Sequence, residues 1–390
     1  MACEQVTLQD VCELIVDCPH TSTKDEGVGY PLIRTPNVGR GRLILTDVHR
    51  VSQDVYERRV SRAVPRQGDL ILAREAPAGN VAIVPPGIEV CLGQRTMLLR
   101  PDSSFVVPEY LNYYLNAPEQ RDRMLRLANG ATVSHINVAD IRNMPVQLPS
   151  RGEQSKVAEL LNVLDDKIDL NNRLNDYLEQ PVDGKFQELF GGLNFNATLS
   201  DVAEITMGQS PAGSSYNEEG AGIIFYQGRG EFGWRFPKRR LYTTEPKRLA
   251  CEGDVLMSVR APVGDLNVAF ENCCIGRGLA AIHSETPSFA LYLMRFLKPQ
   301  LEAYNGEGTV FGSINGKALK SLEVALPSHN EVMQFESFAA PIDALIRSNE
   351  NETRKLNNLR NYLLPKLMSG EIDVSKVDLT QLTNNHLADC

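Results

Sequence analysis

The strongest constraint on this chain is that it repeats itself. A block that begins at Gly68, GDLILAREAPAGNVAIV, returns at Gly253 as GDVLMSVRAPVGDLNVAF. Gly68, Asp69, Pro77 and Gly79 pair with Gly253, Asp254, Pro262 and Gly264 at one spacing of 185 residues. The spacing shortens to 183 where Gly93 meets Gly276, and to 178 where Ile136-Asn137 meets Ile314-Asn315. Leu148-Pro149-Ser150 and Glu153 hold the spacing of 178 to Leu326-Pro327-Ser328 and Glu331. Fixed blocks with small length changes between them are what surface loops tolerate. A unit of about 180 residues is a doubled domain, because solenoid repeats run at roughly 20–50 residues.

Each copy changes character midway. Short runs such as Asp69–Ala73 and Val81–Val84, bounded by Gly and Pro, read as strands. A short helical stretch follows each set, Pro108–Leu115 in one copy and Phe289–Leu297 in the other. After Leu-Pro-Ser each copy turns into a long helix. In the first, Val157, Leu160, Leu161, Leu164, Ile168, Leu174 and Leu178 recur at three- and four-residue steps. Ser150 and Glu153 fit a capping box at its start. In the second, Phe335, Phe338, Ile342, Leu345, Leu356, Leu359 and Leu363 form the stripe, and Pro341 predicts a kink or a restart.

Two amphipathic helices at equivalent places predict an antiparallel coiled-coil pair, although each could also pack on its own domain alone. Glu153 to Gln180 spans on the order of 40 Å, close to one DNA turn of roughly 34 Å. The expected fold is α+β. Two similar mixed α/β domains, 1–150 and 191–328, are joined and separated by long antiparallel helices at 151–190 and 329–372, in a pseudo-twofold internal repeat. A tail, 373–390, loses the stripe.

With 390 residues, 42 % of them hydrophobic, the chain can bury real cores. No apolar run reaches the roughly 18 residues of a membrane span, and the first residues lack a signal-peptide pattern, so a cytoplasmic protein without a membrane partner is expected. The eight cysteines form no C-x-x-C pair, and Cys18-Pro-His20 lacks a second pair at ligand spacing, so no metal site is expected. There is no P-loop and no G-x-S-x-G elbow. An amino-methylating DNA enzyme would carry an Asn/Asp-Pro-Pro-aromatic turn and a Gly-rich cofactor loop; Asn143-Met-Pro145 and Gly306-Glu-Gly308 fall short of both. The six histidines are scattered, and Glu245-Pro-Lys247 matches half of a nuclease metal motif without an acidic partner. The chain is expected to have no catalytic residues and no cofactor of its own.

The net charge of −9 argues against binding nucleic acid by bulk charge, but not against a local basic face. Arg34, Arg40, Arg42, Arg50, Arg58, Arg59, Arg62 and Arg66 crowd one segment. Arg229, Arg235, Lys238, Arg239, Arg240, Lys247 and Arg248 crowd another, interleaved with Tyr226, Gln227, Phe232, Trp234 and Phe236. The arginine fork suits phosphates and guanine edges. Either segment could instead be a solvated charged loop. Both lie upstream of the repeated Gly-Asp block and differ in sequence, as two unlike DNA half-sites would require. Near the block itself, Arg74, Gln94 and Arg95 in one copy and Arg260 and Arg277 in the other are further candidates for DNA contact. So are the loops Thr132–His135 and Thr309–Ser313. The Gly-Asp and Pro-x-Gly positions read as scaffold.

Taken together, Gly68-Asp-Leu-Ile-Leu, Pro77, Gly79, Cys91-Leu-Gly93, Ile136-Asn137, Leu148-Pro149-Ser150 and the helix from Glu153 resemble the specificity subunit of type I restriction-modification systems. Their second-copy counterparts and Tyr362–Ile372 carry the same resemblance over nearly the whole chain. It implies two target-recognition domains, each reading one half of a split asymmetric site on double-stranded DNA, with helices whose length fixes the gap. It also implies two copies of a methyltransferase (modification) subunit as partners, S-adenosylmethionine being held there, and a restriction/translocase subunit as an optional addition. The second helix departs from the family start, reading Asn330-Glu-Val-Met-Gln.

Two readings compete with a DNA-recognition subunit. One is a coiled-coil scaffold that binds protein only, in keeping with the acidic charge. The other is a nuclease at Glu245-Pro-Lys247, which would show as metal-dependent cleavage abolished by Lys247→Ala. For the recognition reading, Arg239→Ala should weaken DNA binding, and exchanging the first domain should alter only one half of the target.

Overall fold

The computed structural model describes residues 4–128, 135–306 and 312–376. The chain divides into two units, Met1–Asp169 with Thr353–Cys390, and Leu170–Glu352, so the division falls inside both long helices. In the first unit Cys12–Asp17, Thr96–Pro101, Leu70–Ala73 and Val81–Ile83 run antiparallel in that order, and Gly41–Arg42 joins the edge in parallel. A smaller sheet holds Arg50–Val51, Tyr30–Ile33 and Cys91–Leu92. The second unit repeats the plan with Glu204–Met207, Leu279–His283, Val255–Ser258 and Leu266–Val268. Its other sheet has five strands, with Ile223–Tyr226 parallel to its neighbour Cys273–Ile275, as Tyr30–Ile33 is to Cys91–Leu92. The registers coincide: Leu70 faces Ile83 and Leu99, and Val255 faces Val268 and Ile282.

These strands read as apolar runs because they are covered. Leu70, Leu72, Val81, Met97 and Leu99 pack under the helix Pro108–Asn116 and against Val157, Leu160 and Leu161. In the second unit Val255, Met257, Ala280 and Ile282 pack under Pro287–Phe296 and against Phe186, Phe190 and Phe335.

The two long helices are Arg151–Phe190 and His329–Met368, each of 40 residues. Both open on the capping box: Ser150 and Ser328 donate through backbone N–H and hydroxyl to the carboxylates of Glu153 and Glu331 at 2.7–2.9 Å. Each unit holds one half of each helix, and the halves run antiparallel. In the first, Val157, Leu160 and Leu161 share a core with Leu363, Leu364 and Leu367, while Arg360 reaches Asp165. In the second, Asn175 meets Asn349, and the Phe186 ring lies edge-on to Phe335 at 5.3 Å.

Two expectations about these helices need correction. The C-terminal helix continues through Pro341 without a break, as the central helix does through Pro181. Both prolines face solvent, where water can satisfy the carbonyl that each leaves unbonded. The apolar seam is also shorter than periodicity predicts. Val157, Leu160, Leu161, Leu164, Ile168 and Phe335 are buried, and Leu178, Ile342, Leu356 and Leu363 are half-buried. Phe338, Leu345 and Leu359 are more than 40 % exposed, and Leu174 is exposed as well. In their place Asn171, Asn175, Asn349 and Thr353 are buried. The Asn349 side-chain amide donates to Asn175 Oδ1 at 2.9 Å, and that of Asn171 to Glu352 at 2.8 Å. Short amides that satisfy one another can occupy a seam, and hydrophobicity alone then assigns neighbouring leucines to it.

Candidate nucleic-acid interface

The repeat brings unlike side chains to like places. In the first unit the strand Tyr30–Ile33 ends beside the turn at Gly93, whose N–H donates to Ile33 O at 2.8 Å. In the second, Ile223–Tyr226 ends beside Gly276, whose N–H donates to Tyr226 O at 2.8 Å. The residues that follow these strands are Arg34 and Gln227; those that follow the glycines are Gln94-Arg95 and Arg277-Gly278. The approach is close: a Cβ on Gly276 or Gly278 would stand 2.8–2.9 Å from Gln227 O, and one on Gly93 would meet Ile33 O at 2.8 Å. Glycine thus holds the two loops together and lifts their side chains outward.

Gln94, Arg95, Gln227 and Arg277 are all exposed. Arg95 sits at φ 63°, a left-handed conformation that non-glycine residues rarely adopt, and its guanidinium pairs with Glu75 at 2.8 Å. Gln94 donates to His20 O at 3.1 Å. The Arg34 Nε is buried with no hydrogen-bond partner among the described residues. In the second unit Ser258 Oγ donates to Arg260 O, the Arg277 N–H donates to Ser210 Oγ, and both arginine side chains point outward. Each unit therefore presents a small group of glutamine and arginine on a rigid turn. Such groups match base edges and phosphates. Of the loops Thr132–His135 and Thr309–Ser313, residues 132–134 and 309–311 lie outside the described residues.

Most other arginines singled out from sequence have partners within the chain. Arg59 is buried, donating to Leu92 O and Thr21 O and contacting the Thr23 hydroxyl. Arg74 holds both oxygens of Asp17 at 2.8 Å and donates to Ile136 O. Arg229 pairs with Asp265, Arg239 with Glu271 and Arg240 with Glu231. Arg40, Arg58 and Lys238 are exposed.

Arg42 and Arg235 form a matched pair. Arg42 lies beside Ile83 in the sheet, and Arg235 beside Val268, whose N–H donates to Arg235 O. Arg42 reaches Asp166 at 2.6 Å and also Asp169 on the central helix. Arg235, 4 % exposed, reaches Glu179 and Asp343 at 2.8 and 2.7 Å, and lies 5.4 Å from the centroid of the half-exposed Trp234 ring. Burial opposes its charge, but Tyr292, Asp343 and Glu179 outweigh that and hold the guanidinium above its usual range. Both arginines tie a sheet domain to its helices.

Sequence periodicity missed the partners of this clamp. Tyr113 donates to Asp165 at 2.7 Å, and Tyr292 to Asp343 at 3.3 Å. Burial first, and then the Asp165 carboxylate, pushes the Tyr113 phenol far above its usual range. Asp165 and Asp343 stand at the repeat spacing of 178, and Tyr113 and Tyr292 at 179, so the repeat itself carried the signal.

The scaffold aspartates also pair off. Asp69 accepts from the Arg66 N–H and from both arms of Arg100 at 2.8–2.9 Å. Asp254 accepts from the Cys251 N–H at 2.8 Å and faces His283 Nδ1 at 2.6 Å. That hydrogen bond, and then the Asp254 charge, raises the His283 pKa. No helix among the described residues is long and apolar enough to cross a membrane.

Comparison with known proteins returns one family. The profile of the type I restriction modification DNA specificity domain matches residues 2–180 and again 196–361. The type I restriction enzyme MjaX specificity subunit of Methanocaldococcus jannaschii is 31 % identical, covering 94 % of this chain and 93 % of its own. The HindI specificity subunit of Haemophilus influenzae is 19 % identical over 79 % of this chain and 87 % of its own. Among solved structures, the type I restriction-modification S subunit from M. genitalium matches with a TM-score of 0.63 at 16 % identity, over 94 % of this chain and 96 % of that one, a likeness of fold.

Proposed function

Because the chain belongs to the type I restriction modification DNA specificity family, we propose that it reads a bipartite, asymmetric DNA site, one domain to each half, for methyltransferase subunits docked on its helices. The observation that carries this reading is the equivalence of Arg34, Gln94 and Arg95 with Gln227, Arg277 and Gly278: one scaffold with two sets of reading groups. Arg277 suits the O6 and N7 acceptors of guanine, and Gln227 the N6 and N7 groups of adenine. Arg40, Arg58, Lys238 and Arg260, all exposed, add phosphate contacts in this reading, which position without specifying.

The chain brings no chemistry of its own in this reading. Two modification subunits carry S-adenosylmethionine and the methyl transfer, and a restriction/translocase subunit joins where cleavage is needed. The exposed apolar residues of the helices favour such docking: Leu170, Leu174, Tyr177, Phe338 and Leu345 in one unit, Leu359 and Tyr362 in the other.

Changing Arg277 to Ala in the assembled complex should cost about 1–3 kcal/mol of discrimination at one position of one half-site and leave the other half unchanged. Methylation mapped on a randomised target library reads both. Loss spread evenly over both halves would sink the one-domain, one-half assignment. A DNA affinity that ignores salt between 50 and 200 mM, where several phosphate contacts predict a fall on the order of a thousandfold, would favour a scaffold that binds protein only.

A further inference from the structure

The duplicated Gly-Asp turn poses the same electrostatic problem twice and solves it in two ways. In both units a nearly buried aspartate closes the turn, accepting the N–H three residues earlier, of Arg66 or of Cys251. In the first unit the other side of the carboxylate is filled by a resident cation, with the Arg100 fork covering both oxygens of Asp69. Where the first unit has Arg100 and Arg66, the second has His283 and Cys251. A histidine ring meets only one carboxylate oxygen, and it is 51 % exposed here, so the second aspartate lacks the enclosing cation that the first possesses.

The replacements are both metal-ligand types. One ligand atom each of Cys251, Asp254 and His283 lies within 4.8 Å of the others. Ligands around tetrahedral zinc stand roughly 3.3–3.8 Å apart. His283 Nδ1 and the Asp254 carboxylate, now hydrogen-bonded at 2.6 Å, would open to that spacing as the ion replaces their shared proton, and the exposed Cys251 thiol, within 4.8 Å of both, would close to it by rotation. The turn that carries Cys251 and Asp254 is held by Gly253 at φ 88°, and the strand that carries His283 pairs with the strand of Val255, one residue past Asp254. All three ligands thus sit on the sheet and its turn. Glu204 stands directly opposite His283 on the neighbouring strand, where cross-strand side chains approach within about 5 Å, and offers a fourth position.

We propose that Cys251, Asp254 and His283, with Glu204 or water as the fourth ligand, bind one zinc-class divalent cation that does in the second unit what the Arg100 guanidinium does in the first. Thiolate, imidazole and carboxylate together select a borderline-soft ion such as zinc over magnesium or calcium. The site is structural: it fastens the end of the strand Leu279–His283 to the Gly-Asp turn.

The test uses the full chain, metal-stripped and titrated with zinc against a chromophoric chelator, and in parallel with cobalt(II). One zinc should bind per chain, and the cobalt form should show sulfur-to-cobalt charge-transfer absorption. Cys251→Ser should abolish that band and weaken zinc at least a hundredfold. His283→Gln should weaken it comparably, and Cys273→Ser should change neither. Zinc should raise the melting temperature of the native chain but not of Cys251→Ser, a readout independent of assembly. A band that survives Cys251→Ser, or equal zinc affinity in the native chain and both variants, would overturn the proposal.

Discussion

In the first unit Arg42 leaves the sheet beside Ile83 and reaches Asp166 and Asp169 with 42 % of its side chain open to water. In the second, Arg235 leaves the backbone beside Val268 and is enclosed between Glu179 and Asp343 at 4 % exposure. Arg295 strengthens that second clamp by pairing with Asp183 and Glu179, where the first unit has Asn116, turned toward Val81 and Asn112. The helix ends differ likewise. The first seats aliphatic residues against three tyrosines, and the second seats Phe186, Phe190, Phe289 and Phe335 together with Tyr292. Duplication preserved where each domain meets its helices and left the chemistry of the joint free to diverge.

The divergence can be tested pair by pair. Arg235→Ala strands two acidic groups in a low-dielectric joint and should cost about 3–5 kcal/mol, whereas Arg42→Ala, at a wet surface, should cost at most about 1. Urea unfolding of the two variants reads the contrast, and equal losses would break it. Phe335→Ala should cost about 3–5 kcal/mol, and its repeat equivalent Val157→Ala roughly 2, because the aromatic joint loses more area and keeps the larger cavity. Tyr113→Phe removes a short hydrogen bond to a buried carboxylate and should cost about 1.5–3 kcal/mol. Tyr292→Phe removes a longer one, and Arg235 remains to compensate Asp343, so roughly 0.5–1 is expected; thermal melts of the pair rank them. Asn349→Ala, which leaves the buried Asn175 Oδ1 without its donor, should cost about 1–2 kcal/mol in the same urea unfolding.

The doubled plan, the strand runs and both capping boxes were legible because each rests on local spacing: Gly-Asp turns, alternation, and Ser with Glu three residues on. The polar centre of the helix pair was not legible. Leu174 and Leu345 look like seam residues to any hydrophobic count, and only the facing helix reveals that Asn349 donates to Asn175, which in turn donates to Glu350. Basic composition misled in the same manner. Arg59, Arg74 and Arg235 lie in basic segments or beside the repeated block, but their carboxylate or carbonyl partners are distant in sequence and invisible to a window. Arg277, by contrast, follows a glycine that recurs in both copies, Gly276 for Gly93, and Gln227 packs against that same glycine. The site at Cys251 escaped the cysteine count because its third ligand lies 32 residues away on another strand.

The stretch from Thr353 belongs to the unit that begins the chain: Leu367 and Val374 are built into the same core as Leu8, Val11 and Tyr110. A growing polypeptide therefore cannot finish its first domain until the stretch from Thr353 has been made, while the second, continuous from Leu170 to Glu352, closes earlier. Loss of the stretch from Thr353 onward, by a premature stop or by trimming, would injure the domain begun first and spare the one that follows it.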